Sequence, residues 1–228
     1  MNPKKHLSRQ IVITEDGSHT LIIPELNEHY HSIHGAVQES MHVFIQAGFN
    51  QLAHASKLSI LEIGFGTGLN ALLTYIQSKN NQQLIDYYTI EKYPLIKEEF
   101  MQLNYASILN DYPSDLLYRL HDAPWEKPTT IDSKFTLVKL QQDLLHLHVD
   151  KTFDLVYFDA FGPDKQPDLW TEDVFKTIFE RMNWGGIVTT YSAKGQVRRN
   201  MKNAGFKVER IDGPPGKREM LRATKQLN

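Results

Sequence analysis

The stretch Glu62-Ile-Gly64-Phe65-Gly66-Thr-Gly68 sets a carboxylate ahead of three glycines at alternate positions, between an apolar run and a run suited to begin a helix. Glycine at such a turn lets backbone approach a ligand closely. A dinucleotide fingerprint needs G-x-G-x-x-G, but residue 69 is Leu, and no G-x-x-x-x-G-K-[ST] loop occurs. Both absences weigh against a pyrophosphate seated on helix amides. S-adenosylmethionine fits better, because it carries a cationic sulfur and an amino-acid end and has no phosphate. Gly64, Phe65, Gly66 and Gly68 would form the cofactor loop, and Glu62 would favour the cation. Glu91, 27 residues after Gly64, ends a second apolar run, where a carboxylate can chelate ribose hydroxyls. Asp143 follows a third run, where an acid can accept a bond from the adenine amino group. Both could equally be solvated loop carboxylates.

Positioning these residues takes alternating strands and helices. Apolar runs suited to strands lie at 58–64, 85–93, 134–143, 152–163 and 185–192, and helical spacing falls at 68–79, 94–105, 172–182 and 195–206. That alternation predicts a parallel sheet covered on both faces. Two last strands, 207–213 and 218–224, joined through Gly-Pro-Pro-Gly without a helix, predict an antiparallel edge hairpin. The expected fold is α/β and Rossmann-like, a class I methyltransferase fold with a mostly parallel seven-stranded sheet. Ahead of it, residues 10–23 read as a β-hairpin around Glu15-Asp16-Gly17-Ser18, and Ala36 to Ile45 recur at helical spacing up to Gly48. The domain division is therefore an N-terminal hairpin-and-helix extension, 1–50, and a methyltransferase domain, 51–228. The Pro-, Asp- and Thr-rich segment between Leu103 and Ser133 reads as an irregular insertion.

Bulk properties narrow the classes. No apolar run is long enough to span a bilayer, and the start MNPKKHLSRQ has no apolar signal core. Cysteine is absent, which excludes disulfides and thiolate metal sites and agrees with a cytoplasmic location. The ten histidines form no H-E-x-x-H or similar motif, so no metal is expected. Net charge is −2, yet residues 194–228 hold ten Lys and Arg against three Asp and Glu, leaving a basic end on an acidic body. That asymmetry suits a polyanion, or simply a solvated helix face.

The stretch DAFGPDKQPDLWT, 159–171, resembles the methyltransferase domain of the MnmC family, enzymes of the tRNA wobble uridine. YHSIHGAVQES with HVFIQAGF (30–49), YSAKGQVRRNMKNAGF (191–206) and GPPGKREMLRA (213–223) are similar to that family's segments before the glycine loop, after the sheet and at the close. The resemblance covers about residues 10–224. It implies S-adenosylmethionine-dependent N-methylation of 5-aminomethyl-2-thiouridine in tRNA, giving the 5-methylaminomethyl form. Many members carry a fused FAD-dependent oxidase, for which 228 residues leave no room. The expectation is a stand-alone methyltransferase part whose partners are tRNA and a separate FAD-dependent oxidase or upstream tRNA-modifying enzyme.

The amine would have to arrive neutral and in line with the methyl. Asp159, at the end of the fourth strand, is the candidate catalytic residue, as base or as orienting group; otherwise it caps a loop. Phe161, Pro163 and Trp170 would line the nucleoside pocket, stacked aromatics being worth roughly 1–3 kcal/mol per base. Trp170 could instead anchor the next helix. Tyr191 joins this substrate set. Lys217 and Arg218 would reach tRNA phosphates, extended by Lys194, Arg198, Arg199 and Lys202. Glu39 would close over the cofactor from the amino-terminal side. The rival expectations are a methyltransferase or aminopropyltransferase-like enzyme for a small amine, and a non-catalytic RNA-binding module.

Overall fold

The computed structural model describes residues 8–110 and 112–226. The first seven residues, including most of the stretch read as lacking a signal core, lie outside the described residues.

Strands β1 (Gln10–Ile13), β2 (His19–Ile23) and β3 (Glu28–His29) form a small antiparallel sheet. The expected turn closes the first pair: Gly17 donates to the Thr14 carbonyl at 2.9 Å, and the Asp16 carboxylate accepts from the Ser18 amide at 3.0 Å. The third strand is only two residues long and carries no periodic signature. Helix α1 (Ala36–Ser40) continues as a π-helical stretch, Met41–Gln46, rather than running on as α-helix to Gly48. The wider turn brings the consecutive residues Val43, Phe44 and Ile45 all into the core.

The main sheet has the order β10-β11-β9-β8-β4-β5-β7-β6. Its parallel centre comprises β4 (Lys57–Ile63), β5 (Leu84–Ile90), β7 (Phe135–Leu140), β8 (Phe153–Phe158) and β9 (Met182–Thr190). These strands bury both faces: Leu58, Ile60, Leu155 and Tyr157 belong to one core, Leu61, Ile63, Val156 and Phe158 to the other. Period-two alternation is thus hidden in near-continuous apolar runs. Helix α2 (Leu69–Asn81) covers the first face; α6 (Glu172–Glu180) and α7 (Gly195–Asn203) cover the second. The expected antiparallel hairpin is present as β10 (Lys207–Asp212) and β11 (Glu219–Thr224), with β11 paired to β9.

Three expectations are corrected. The segment 103–133 is not irregular. It holds α4 (Tyr105–Ile108), α5 (Leu116–Asp122), whose Leu116, Leu117 and Leu120 are buried, and β6 (Pro128–Asp132), paired antiparallel with β7. The sheet therefore has eight strands rather than seven. Proline disguised the eighth, yet Pro128 opens an edge strand, where proline is tolerated. The helix expected over 94–105 shrinks to α3 (Lys97–Phe100). There Glu99 accepts from the Ile96 amide at 2.9 Å and pairs with Arg9 at 3.0 Å, tying the turn to the N-terminal sheet.

Candidate active site

Strand order reverses at β4: the chain proceeds outward through β5 and β7 on one side, then returns to place β8 on the other. Open α/β sheets bind ligands outside the carboxyl ends of strands at such a point. Gly64 and Asp159 leave β4 and β8 there side by side. The Asp159 amide donates to the Ile63 carbonyl at 3.0 Å. Gly64 has φ +92°, and a Cβ on it would sit 2.8 Å from the Asp159 carbonyl oxygen. Gly68, at φ +74°, precedes α2 and donates to the Phe65 carbonyl at 2.8 Å.

Glu91 gathers the cofactor loop. One oxygen accepts from the Gly66 amide at 3.1 Å, the other from the Tyr93 amide at 2.8 Å. A carboxylate has about four acceptor positions, so room remains for ribose hydroxyls. Asp143 lies at the neighbouring strand end, accepting from the Leu145 amide at 3.1 Å and paired with Lys92 at 2.6 Å. Glu62 is fully buried, with Thr89, Asn70 and Tyr87 clustered around its carboxyl but none in strict hydrogen-bond geometry with it. Burial pushes its carboxyl well above the ordinary range; Thr89, Asn70 and Tyr87 offset this in part, while the Asp159 charge adds to it. A buried carboxyl beneath a glycine loop is a lining that suits a cationic ligand end, and the Glu91 and Asp143 carboxylates lie at the two neighbouring strand ends. The residues present fit S-adenosylmethionine.

Beside the loop opens a cavity of about 350 Å³. Its walls include Glu28, Tyr30, Glu39, Phe161, Tyr191 and Lys217, with Asp159 reaching in. The Asn70 amide donates to Asp159 Oδ2 at 2.8 Å. The Asp159 carboxyl is raised to about 7: burial lifts it most, the Asn70 bond opposes, the Glu39 charge adds to the rise and the Lys217 cation lowers it. Tyr30 divides loop from cavity. Its ring would lie 3.0 Å from a Cβ on Gly66, meets Phe161 edge-on at 5.2 Å, and its hydroxyl accepts from Arg9 Nε at 2.9 Å.

The fold thus brings Glu39, Asp159, Phe161, Tyr191 and Lys217 to one cavity, with Glu62, Gly64, Gly66, Gly68 and Glu91 alongside. Other placements differ from the sequence expectation. The Phe65 ring is buried against His121 and Trp125, so only its backbone faces the loop. Trp170 is buried behind the cavity, where its indole donates to the Phe161 carbonyl at 2.8 Å and packs on Phe158; it supports Phe161 rather than a base. Pro163 is partly exposed in the following turn and does not line the cavity. Arg218 points to solvent, whereas Lys217 turns inward onto Glu39 at 2.7 Å and not toward a phosphate. Lys194 pairs with Asp164. Asn70, Tyr30 and Glu28 escaped the sequence reading. Asn70 alone left a signal, as an amide in the apolar run after Gly68. Among the described residues, no group of three His, Cys, Asp or Glu stands close enough to hold a metal. No helix among them is long and apolar enough to cross a membrane.

The profile of a family described as S-adenosyl-L-methionine-dependent methyltransferase matches residues 90–226, more than half the chain. The chain belongs to this methyltransferase family. It is similar to the tRNA 5-methylaminomethyl-2-thiouridine biosynthesis bifunctional protein MnmC of Burkholderia pseudomallei, with 29% identity over 92% of this chain and 34% of that protein. The MnmC of Nitrosospira multiformis is 31% identical over 84% of this chain and 33% of its own length. The chain thus spans about a third of these relatives. Among solved structures, MnmC2 of Aquifex aeolicus superposes with a TM-score of 0.80 at 26% identity, covering 100% of this chain and 73% of that one. The methyltransferase is thus an enzyme of the expected fold with S-adenosylmethionine as cofactor.

Glu62→Gln separates cofactor binding from folding. A carboxyl whose folded value is raised contributes stability that is present at low pH and lost as pH rises through that value. The free Gln variant should therefore lose less melting temperature than the parent above neutrality. Its cofactor affinity should fall on the order of tenfold, the worth of one charged hydrogen bond. Calorimetry and thermal melts check both; unchanged affinity would remove Glu62 from the site.

Proposed function

We propose that this methyltransferase N-methylates 5-aminomethyl-(2-thio)uridine at the tRNA wobble position, giving 5-methylaminomethyl-(2-thio)uridine. The observation that carries this reading is Asp159, raised to about 7 at the base of a cavity with an aromatic wall. Such a carboxyl suits accepting a proton from an alkylammonium near neutral pH, since the best base titrates near the working pH. The similarity to MnmC proteins, whose names specify this tRNA nucleoside, supports the substrate class.

Bound S-adenosylmethionine supplies a methyl group on a sulfonium. Glu62 would favour its cationic end, the backbone of Gly64, Phe65, Gly66 and Gly68 would approach it, and Glu91 and Asp143 would hold ribose and adenine. Asp159 takes one proton from the acceptor's ammonium and keeps the nitrogen lone pair on line. That nitrogen would receive the methyl group the bound cofactor would supply. Asn70 orients the Asp159 carboxylate, while Tyr30, Phe161 and Tyr191 exclude water around the amine. The chain divides into an N-terminal extension, 1–50, whose described residues from 28 to 39 would roof the site, and a methyltransferase domain, 51–228. A separate FAD-dependent oxidase or upstream enzyme would uncover the amine on the tRNA, and a cytoplasmic location follows from that substrate.

The test is methyl transfer from labelled cofactor to bulk tRNA of cells lacking this gene, followed by nucleoside mass spectrometry. The expected result is a gain of one methylene mass on 5-aminomethyl-2-thiouridine. Cofactor binding without that gain would overturn the tRNA assignment in favour of a small-molecule amine. Failure to bind the cofactor would point to a non-catalytic RNA-binding module.

A further inference from the structure

Two segments far apart in sequence meet over the cavity. Lys217 Nζ lies 2.7 Å from Glu39 Oε1 across 178 positions of chain, and Glu39 Oε2 accepts from the Ser32 amide at 2.7 Å. The same ammonium stands 4.0 Å from the centroid of the Tyr191 ring. The Tyr191 hydroxyl in turn donates to the Ala160 carbonyl at 2.8 Å, one residue beyond Asp159. The turn that delivers Lys217 is tightly set. Lys217 donates its amide to the Pro214 carbonyl at 2.9 Å, and Gly216, at φ +82°, lies so close beneath the His34 ring that a Cβ there would overlap it. Lys217 therefore touches the amino-terminal roof, the wall after β9 and, through Tyr191, the backbone that carries Asp159.

We propose that Lys217 is a positioning residue that clasps the roof to the floor of the cavity and, against Glu39, sets the charge state of Asp159. The proposal rests on the role assigned above to Asp159. Groups around that carboxyl come from several sides: Glu62 from β4, Tyr87 from β5, Asn70 from α2, Tyr191 after β9 and Glu39 from the amino-terminal segment, while Glu28 faces Tyr191 and buried His31 faces the Glu39–Lys217 pair. Burial raises the Asp159 carboxyl most, and Glu39 and Lys217 then act on it with opposite sign. An ion pair at this spot is a balance: removing either member leaves the other acting alone within reach of the reacting carboxyl.

The test needs no acceptor and so separates this clasp from the identity of the substrate. Asp159 is titrated in the full-length protein by carbon NMR of labelled aspartate, with Asp159→Asn assigning the resonance. Lys217→Met should move the midpoint up by about one pH unit, and Glu39→Gln should move it down by a comparable amount. Lys217→Arg should restore the parent midpoint, and the double variant should lie near the parent. The same displacements should appear in the acid limb of kcat/KM with cofactor and tRNA. If Lys217→Met fails to fold, the Glu39→Gln shift decides alone. Shifts of the same sign in the two variants, or an unmoved midpoint in Glu39→Gln, would overturn the clasp whatever the substrate proves to be.

Discussion

Asp159→Asn should lower turnover by roughly 10²–10⁴, the range for loss of a positioned acid or base, while cofactor affinity changes severalfold at most. The side chain keeps its shape, and Asn70 can still donate to an amide oxygen at the 2.8 Å position. Only the proton acceptor and the charge are lost. In the parent, activity should rise with pH through an acid limb near 7, where Asp159 ionises in the free protein. A cationic cofactor favours the carboxylate, so the limb of kcat should fall below that of kcat/KM. Stability runs the opposite way. The raised carboxyl makes a contribution that is present at low pH and lost as pH rises through about 7. The Asn variant should therefore be the more stable protein above neutrality. Turnover within threefold of the parent at saturating cofactor would remove Asp159 from the chemistry.

Gly64→Ala should cost both folding and cofactor. A left-handed residue other than glycine costs about 1–2 kcal/mol, and here the new Cβ also meets the Asp159 carbonyl oxygen at 2.8 Å. That oxygen is backbone, fixed by the β4–β8 pairing, so it has nowhere to move. A total near 2 kcal/mol or more would lower Tm by roughly 4–8 °C in a domain of this size. Forcing β4 and β8 apart also displaces the cleft between loop and Asp159, so calorimetry should record at least a tenfold loss of cofactor affinity, about 1.4 kcal/mol. Gly17→Ala is the matched control. Its φ is +82°, and nothing lies within 4 Å of its added Cβ. It should pay the backbone strain alone and bind cofactor normally. Equal cofactor affinity in the two variants would mean that the Gly64–Asp159 contact does not define the site.

Both predictions depend on features that were readable to different degrees. The glycine triplet, Glu62 ahead of it and Asp159 at the end of an apolar run were legible because strand periodicity and loop chemistry are local. Corrections fall where a distant partner decides. Pro128 read as loop until β7 offered it an edge. The helix expected over 94–105 is only Lys97–Phe100, and the Glu99 carboxylate that caps its first turn is also claimed by Arg9 from far along the chain. Trp170 read equally as a stacking platform or as an anchor for the next helix, and the structure buries it with its indole donating to the Phe161 carbonyl.

By itself the sequence determined the parallel α/β core, the antiparallel closing hairpin and the cofactor loop, since each follows from patterns within some ten residues. Only the tertiary structure decided that Lys217 faces Glu39 rather than solvent, that Asn70 orients Asp159 and that Tyr30 stands between loop and cavity. Those are meetings between segments tens to nearly two hundred residues apart. The charge state of a buried carboxyl is fixed by what surrounds it in space, and sequence order does not record that.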